Sequence, residues 1–291
     1  MSTALISICI PTYNGEKYLQ EALDSVKNQT YKNIEVIISD DQSKDNTLNI
    51  IKNFKSEVDF PVFIYSHEPS GIGANWNNCI KEANGKYIQF LFQDDILEKN
   101  CLEVKLNYIM KYNLMAVCSK RSIIDETGQF VTNGEWYRHF HDLQKLYLNL
   151  EFKDFFIFKK NHLKRLDHQY IVANIFGEPI AFLFDRKLFD QIGIFNTTYK
   201  QILDIEYAYR ILKEYPIGLI EESLFRFRLH DEQATSINSN LNNSQEYDSL
   251  KKYIIKYFYK FLSFNLKKEL FKERYPILYK RFIQLRYLDF K

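Results

Sequence analysis

ISICIPTYNGEKYLQEALDSVKNQTYKNIEVIISDD, running from Ile6 to Asp41, decides the fold. Its first five residues are a short apolar run rich in β-branched side chains and halted by Pro11, the mark of a buried strand. Tyr18, Leu19, Ala22, Leu23 and Val26 then recur at helical spacing. A second apolar run from Ile34 ends in two carboxylates, Asp40 and Asp41. Strand, helix and strand in this order, with strands apolar throughout, predict parallel strands covered on both faces.

The pattern continues outward. NTLNIIKNF reads as a helix capped by Asn46, and PVFIYSH as a third strand. GIGANWNNCIKEANG reads as a helix closed by Gly85 in the C-cap position. KYIQFLFQDD reads as a fourth strand running into Asp94 and Asp95. Ligands of such sheets bind at the carboxyl ends of the strands. Pro11–Asn14, Asp40–Asp45 and Asp94–Asp95 therefore converge on one rim. Beyond Asp125 the periodicity loosens, and residues 134–170 yield no assignable elements. GEPIAFLFDRKLFDQIG reads as strand and helix, LDIEYAYRILK as a helix, and IGLIEESLFRFRLH as strand-like.

Each adjacent acid pair repels itself unless a cation or hydrogen-bond donors offset the charge. For Asp40 and Asp41, a strand-to-helix turn explains the surrounding Ser and Asn residues. It explains two neighbouring carboxylates poorly. One of them can accept a hydrogen bond from a ligand N–H such as a nucleobase imide. For Asp94 and Asp95 the alternatives are a turn or a divalent, oxygen-ligated cation shared with a diphosphate. Asp204 reads equally as the N-cap of the helix that follows it. A dinucleotide fold is rejected, because the first strand is followed by PTYNGE and not by G-x-G-x-x-G. No phosphate-binding G-x-x-x-x-G-K-[ST] loop occurs.

Composition narrows the classes further. At 291 residues and 46% apolar, the chain can bury a large core. Its net charge of +2 gives no argument for a nucleic-acid partner. Cys9, Cys79, Cys101 and Cys118 show no metal spacing and read as buried free thiols of a reducing compartment. No leader pattern and no spanning apolar run is evident, which predicts a cytoplasmic protein, soluble or peripheral on the inner face of the membrane. Residues 245–291 carry 12 Lys and Arg against 5 Asp and Glu, interleaved with Tyr and Phe at helical spacing. Such a tail is expected to meet a membrane surface or a second copy of the chain, or to pack back on the main domain.

SICIPTYNGEKYLQEALDSVKNQTYKNIEVIISDDQSKDNT resembles the opening of the inverting glycosyltransferases of family 2. That family ends its first strand in P-x-Y-N, its helix in Q-T-Y and its second strand in D-D-x-S-x-D. EPSGIGANWNNCIKEANGKYIQFLFQDD is similar to the next block, which leads to a D-x-D-type metal site, here Gln93-Asp94-Asp95. GEPIAFLFDRKLFDQIGIFN with LDIEYAYRIL resembles the acceptor block, and FRLHDEQATS the closing block. The resemblance covers about residues 5–236. It implies a GT-A (Rossmann-like) α/β fold, a mixed, mostly parallel sheet flanked by helices. Residues 1–236 would form the catalytic domain, with 1–125 binding the nucleotide sugar and 126–236 the acceptor, and 237–291 a helical tail.

The resemblance also implies roles. Pro11, Thr12, Tyr13, Asn14, Asp41, Asn77 and Asp94 would bind the nucleotide sugar, with Asp41 accepting from uracil N3–H if the donor is a UDP-sugar. Asp95, with His230, would hold Mn²⁺ or Mg²⁺. Asp204 would be the general base. The acceptor would be a glycan or lipid-linked glycan in surface polysaccharide synthesis. Three positions depart from the family habit: Trp76 where Arg is frequent, Leu203 where Glu is frequent, and Gln93 where Asp is frequent. A catalytically inactive nucleotide-sugar-binding or scaffold protein is the alternative. The chemistry agrees with the implied roles. A departing diphosphate needs a cation as charge builds, and an attacking hydroxyl needs a carboxylate to take its proton.

Overall fold

Strands β1 (Ile6–Thr12) and β2 (Ile34–Asp40) are buried at every position. They pair in parallel, with Ile6 opposite Ile34 and Thr12 opposite Asp40. The computed structural model describes residues 4–231, 233 and 244–279. Around this first pair it adds β3 (Val62–Ser66), β4 (Tyr87–Phe90), β5 (Ile96–Leu97), β6 (Ala116–Ile124), β7 (Phe155–Phe158), β8 (Phe182–Asp185) and β9 (Ile217–Arg228). The order across the sheet is β3-β2-β1-β4-β8-β6-β9-β5, with β7 also on β9. The four strands from β3 to β4 are parallel. Strand β8 runs antiparallel to both of its neighbours, β4 and β6. The sheet is thus mixed, and one continuous surface joins both halves of the sequence.

Helices α1 (Leu19–Lys27), α2 (Thr47–Glu57), α3 (Ile72–Glu82) and α4 (Cys101–Lys111) alternate with the early strands. Leu19, Ala22, Leu23 and Val26 form the buried stripe of α1, as their spacing requires. Full burial of a Leu or Val of this kind contributes about 1.5–3 kcal/mol. The later helices are α5 (Glu135–Phe140), α6 (Leu143–Leu148), α7 (Lys187–Ile192) and α8 (Leu203–Glu214). All four cysteines are buried free thiols.

Four local expectations are corrected. Strand β1 does not stop at Pro11 but runs through it to Thr12. The Cys9 carbonyl accepts from Leu91 N on the β4 side. Alternation turns the Pro11 nitrogen to that same edge, where β4 has already ended at Phe90, so no ladder bond is lost. The fourth strand also ends at Phe90, and Asp94 and Asp95 lie in the turn beyond it. Asn46 stands at the N-cap of α2 without capping it: its side-chain oxygen accepts from Asn49 Nδ2 at 2.8 Å. Asp45 accepts from Thr47 N in its place.

Gly85 is not a helix cap. Helix α3 ends at Glu82, and Gly85 passes so close to β1 that a Cβ would lie 2.5 Å from Ser7 N. Its own N–H reaches Ser7 Oγ at 2.7 Å and the buried carboxylate of Glu35 at 3.1 Å.

Two further helices follow, α9 (Ser244–Phe258) and α10 (Phe264–Arg274). They pack back on the sheet domain. Leu250, Ile254, Phe258, Leu266 and Leu270 are buried, and Phe258 meets Tyr209 edge-on at 5.7 Å. The carboxylate of Glu246 accepts from the peptide nitrogens of Lys200 and Gln201. Part of the expected tail, 237–243 and 280–291, lies outside the described residues. No described helix is long and apolar enough to cross a membrane.

Candidate active site

The carboxyl ends of β1 and β2 are laced together. Asp40 accepts from Thr12 Oγ1 at 2.8 Å, from Ser43 N at 2.8 Å and from Ser43 Oγ at 2.6 Å. Asn14 sits in the left-handed region, with φ 47°, and joins the same lattice through Ser43 Oγ and Lys44 N. Thr12 and Asn14 therefore spend their side chains on shaping the rim. Pro11 is buried, whereas Tyr13 projects its ring into solvent, 54% exposed. The Tyr13 backbone is held by Gln93, whose amide accepts from its N–H at 2.9 Å and donates to its carbonyl at 3.1 Å. Gln93 thus splints the first strand's loop to the acidic turn. A carboxylate at this position could accept from the N–H but not donate to the carbonyl.

With Asp40 saturated, Asp41 is the second acid on the rim. Burial holds its carboxyl above the ordinary range; the His67 imidazole pulls it back, and Asp40 pushes it further up. Nε2 of His67 lies 3.0 Å from Asp41 Oδ1. Asn77 points elsewhere. Its amide donates to the Phe195 carbonyl at 2.9 Å and accepts from Phe195 N at 3.0 Å, tying α3 to the segment after α7.

Asp94 and Asp95 face different partners. His230 Nε2 lies 3.0 Å from Asp94 Oδ2. Asp95 is 2% exposed and accepts the peptide N–H of Arg228 at 3.0 Å. Burial, then the neighbouring Asp94 charge, pushes its carboxyl well up. The side chain of Arg228 is engaged elsewhere. The Arg228 guanidinium is fully buried, binds Glu21 at 2.7 Å and the Asp94 carbonyl at 2.9 Å, and lies over the Tyr18 ring.

Among the described residues no three acidic, His or Cys side chains cluster into an all-protein metal cage. Mg²⁺ and Mn²⁺ do not need one, since one or two carboxylates, waters and phosphate oxygens suffice. Asp95, whose ionisation is opposed by burial and by the adjacent Asp94 charge, fits such an ion. His230 Nδ1, buried and without a partner, is the ring nitrogen left for it.

Asp204 lies in the first turn of α8. The N-cap is Ile202, so the capping alternative is corrected. Asn174 Nδ2 donates to Asp204 Oδ2 at 3.0 Å. Burial, helped by the charge of Glu178, pushes the Asp204 carboxyl up to about 7, against the pull of peptide N–H groups in the helix's first turn. Glu206 is turned away and grips Arg210 with both oxygens.

Sequence reasoning missed the groups between these acids. Glu178 acts on the charge of both Asp95 and Asp204. It is held by Arg121, whose guanidinium also binds the Phe140 carbonyl and lies over the rings of Phe227 and Trp136. An arginine in the middle of the strand AVCSKRSII was the available signal.

A family model described as glycosyl transferase family 2 matches residues 7–193. The chain belongs to that family. An uncharacterized glycosyltransferase of Rickettsia typhi is 31% identical over 252 residues, 84% of this chain and 70% of that protein. Staphylococcus aureus TarS 1–349, solved with UDP-GlcNAc, matches with a TM-score of 0.65 at 19% identity, over 86% of this chain and 65% of that one. Mannosyltransferase PcManGT of Pyrobaculum calidifontis, solved with GDP-Man and Mn²⁺, matches with a TM-score of 0.57 at 16% identity, over 79% and 58%. This likeness establishes the GT-A fold. The chain spans less than two thirds of either solved chain.

Proposed function

We propose that the protein transfers a sugar, with inversion, from a UDP-sugar to a hydroxyl of a glycan or lipid-linked glycan during surface polysaccharide synthesis. The observation that carries the reading is Asp204: a carboxyl raised to about 7 by burial, oriented by Asn174 and placed beside Glu178. A base poised there can take a proton from a hydroxyl near neutral pH. Asp41 accepts the base N–H while Tyr13 covers the donor. Thr12, Asn14 and Asn77 keep the walls in place. Asp94 faces the ribose or donor sugar. Asp95, with His230, would hold Mn²⁺ or Mg²⁺, which when bound supplies positive charge to the departing diphosphate. The likeness to proteins solved with UDP-GlcNAc and with GDP-Man and Mn²⁺ supports a nucleotide-sugar donor and a metal.

Four buried free thiols support a cytoplasmic setting. The outward face of α10 and the turn beyond it carries Phe264, Phe271, Ile277 and Leu278, all exposed, beside Lys268 and Arg274. That combination suits peripheral contact with an anionic membrane. The test of the function is Mn²⁺-dependent release of UDP from UDP-sugars. Release by the wild type supports a working transferase. Binding of UDP-sugars without any release or transfer supports the inactive alternative.

A further inference from the structure

His67 follows β3 at the edge of the rim. Its Nδ1 lies 2.9 Å from the carbonyl oxygen of Glu68. A carbonyl only accepts, so Nδ1 carries the hydrogen. In a neutral ring Nε2 would then present a lone pair to Asp41 Oδ1 at 3.0 Å, acceptor against acceptor. Both atoms are buried and have no other hydrogen-bond partner. The contact is stable only with a proton between them. As an ion pair it carries a carboxylate and an imidazolium.

The surrounding charges bear on which group holds that proton. Asp40, adjacent on β2, is fully engaged by Thr12 and Ser43. Glu68 accepts from Gln42 Nε2 at 2.9 Å. From α3, Asn75 contributes a neutral amide beside Asp41. His67 also lines a cleft of about 700 Å³, with Lys81 of α3 and Arg186 and Asp190 by α7 on its walls. None of these makes an ion-pair contact with Asp41. Among the described residues, His67 is the basic side chain that touches it.

We propose that His67 is a positioning residue for nucleobase recognition, holding Asp41 as a carboxylate so that the pocket accepts a base N–H and rejects a base lone pair. This rests on the reading of Asp41 as the base-binding acid. Uracil offers N3–H to an ionised Asp41, whereas cytosine offers the N3 lone pair and is repelled. Once Asp41 is protonated the preference inverts, because the carboxyl becomes a donor. Burial favours that protonated form, and His67 opposes it.

The experiment is calorimetric titration of UDP and CDP, with Mn²⁺ present, into the full chain between pH 5.5 and 8.5. Wild type, His67→Phe, His67→Gln and Asp41→Asn are compared, with melting temperatures as the check on folding. Wild type is expected to prefer UDP by about tenfold or more, the scale of one charged hydrogen bond. In both His67 variants UDP affinity should fall at a higher pH than in wild type, and the preference over CDP should shrink at pH 6. Asp41→Asn should bind both nucleotides with little pH dependence, since an amide can donate or accept. Folded His67 variants that keep the wild-type preference and pH profile overturn the proposal. A wild type that binds neither UDP nor CDP overturns the donor-site reading itself, and this inference with it.

Discussion

Asn174 Nδ2 donates to Asp204 Oδ2 at 3.0 Å, so the acid on α8 is oriented from a loop 30 residues earlier. Asn174 is itself fixed, its Oδ1 accepting from Gly177 N at 2.8 Å. Asp204→Asn preserves size and shape but cannot take a proton. Turnover should fall by roughly 100-fold or more, while UDP affinity stays near wild type. Glu206→Gln should instead lower the melting temperature, since Glu206 holds Arg210 and faces no site residue. An Asp204→Asn enzyme with near wild-type transfer rates sinks the assignment.

The raised carboxyl of Asp204 also sets a pH profile. The base works when ionised, so kcat should rise about tenfold per unit below pH 7 and level off above it. Stability runs the other way. Between its ordinary 3.8 and about 7, the folded chain keeps a proton that the unfolded chain has released. The group's contribution to stability therefore declines as pH rises through that window and is constant above it. The melting temperature of Asp204→Asn relative to wild type should accordingly improve from pH 4 to pH 8. A gap independent of pH contradicts the burial argument.

Asp95→Ala should abolish the tightening of UDP binding by Mn²⁺. Asp41→Ala should weaken UDP binding with or without metal, because it removes a base contact. Calorimetry with and without Mn²⁺ separates the two. Full metal-dependent affinity in Asp95→Ala would leave the acidic turn without its proposed role.

Gly85 tests the fold. At a left-handed helix cap, Asn replaces Gly well. Here the obstacle is the backbone of β1, 2.5 Å from any Cβ. Gly85→Ala should cost at least about 1–3 kcal/mol in urea denaturation, and Gly85→Asn more. An Asn variant as stable as wild type would restore the capping role.

The outward face of α10 is tested by Phe264→Asp with Phe271→Asp. Both side chains are exposed, so the fold should tolerate the pair. Flotation with anionic liposomes should drop. Unchanged flotation, or none by the wild type, removes the membrane reading.

The early strands were legible because each is a short, largely apolar run between turn residues, and the carboxylates at or just beyond the ends of β2 and β4 marked the rim. Asp41, Asp94, Asp95 and Asp204 all came from that signal or from the family blocks. Residues 134–170 were illegible for a physical reason. Helices α5 and α6 have six residues each, too few to show a period. They are fixed by distant partners: Trp136 stacks on Phe227, and Lys120 binds Asp142, the N-cap of α6. Strand β7 is similarly placed by Phe155, stacked against both Tyr108 and Tyr112. Glu178 and Arg121 escaped notice because 57 residues separate them.

The sheet order constrains how such a protein can be rebuilt. Strands β5 and β6 belong to the first 125 residues, yet they pair with β9 and β8 beyond β4. A chimera cut at residue 125 would strand β6 between foreign neighbours. A cut that respects the sheet falls between β4 and β5, through the acidic turn itself. Strand β8 returns alongside β6, with Cys118 opposite Phe182. The chain between these strands leaves from and returns to neighbouring strands of the sheet and carries Trp136, Asn174 and Glu178. Under the proposed assignment of residues 126–236 to the acceptor, new acceptor preferences are best sought by grafting that cassette as one piece, with β7 matched to its host β9.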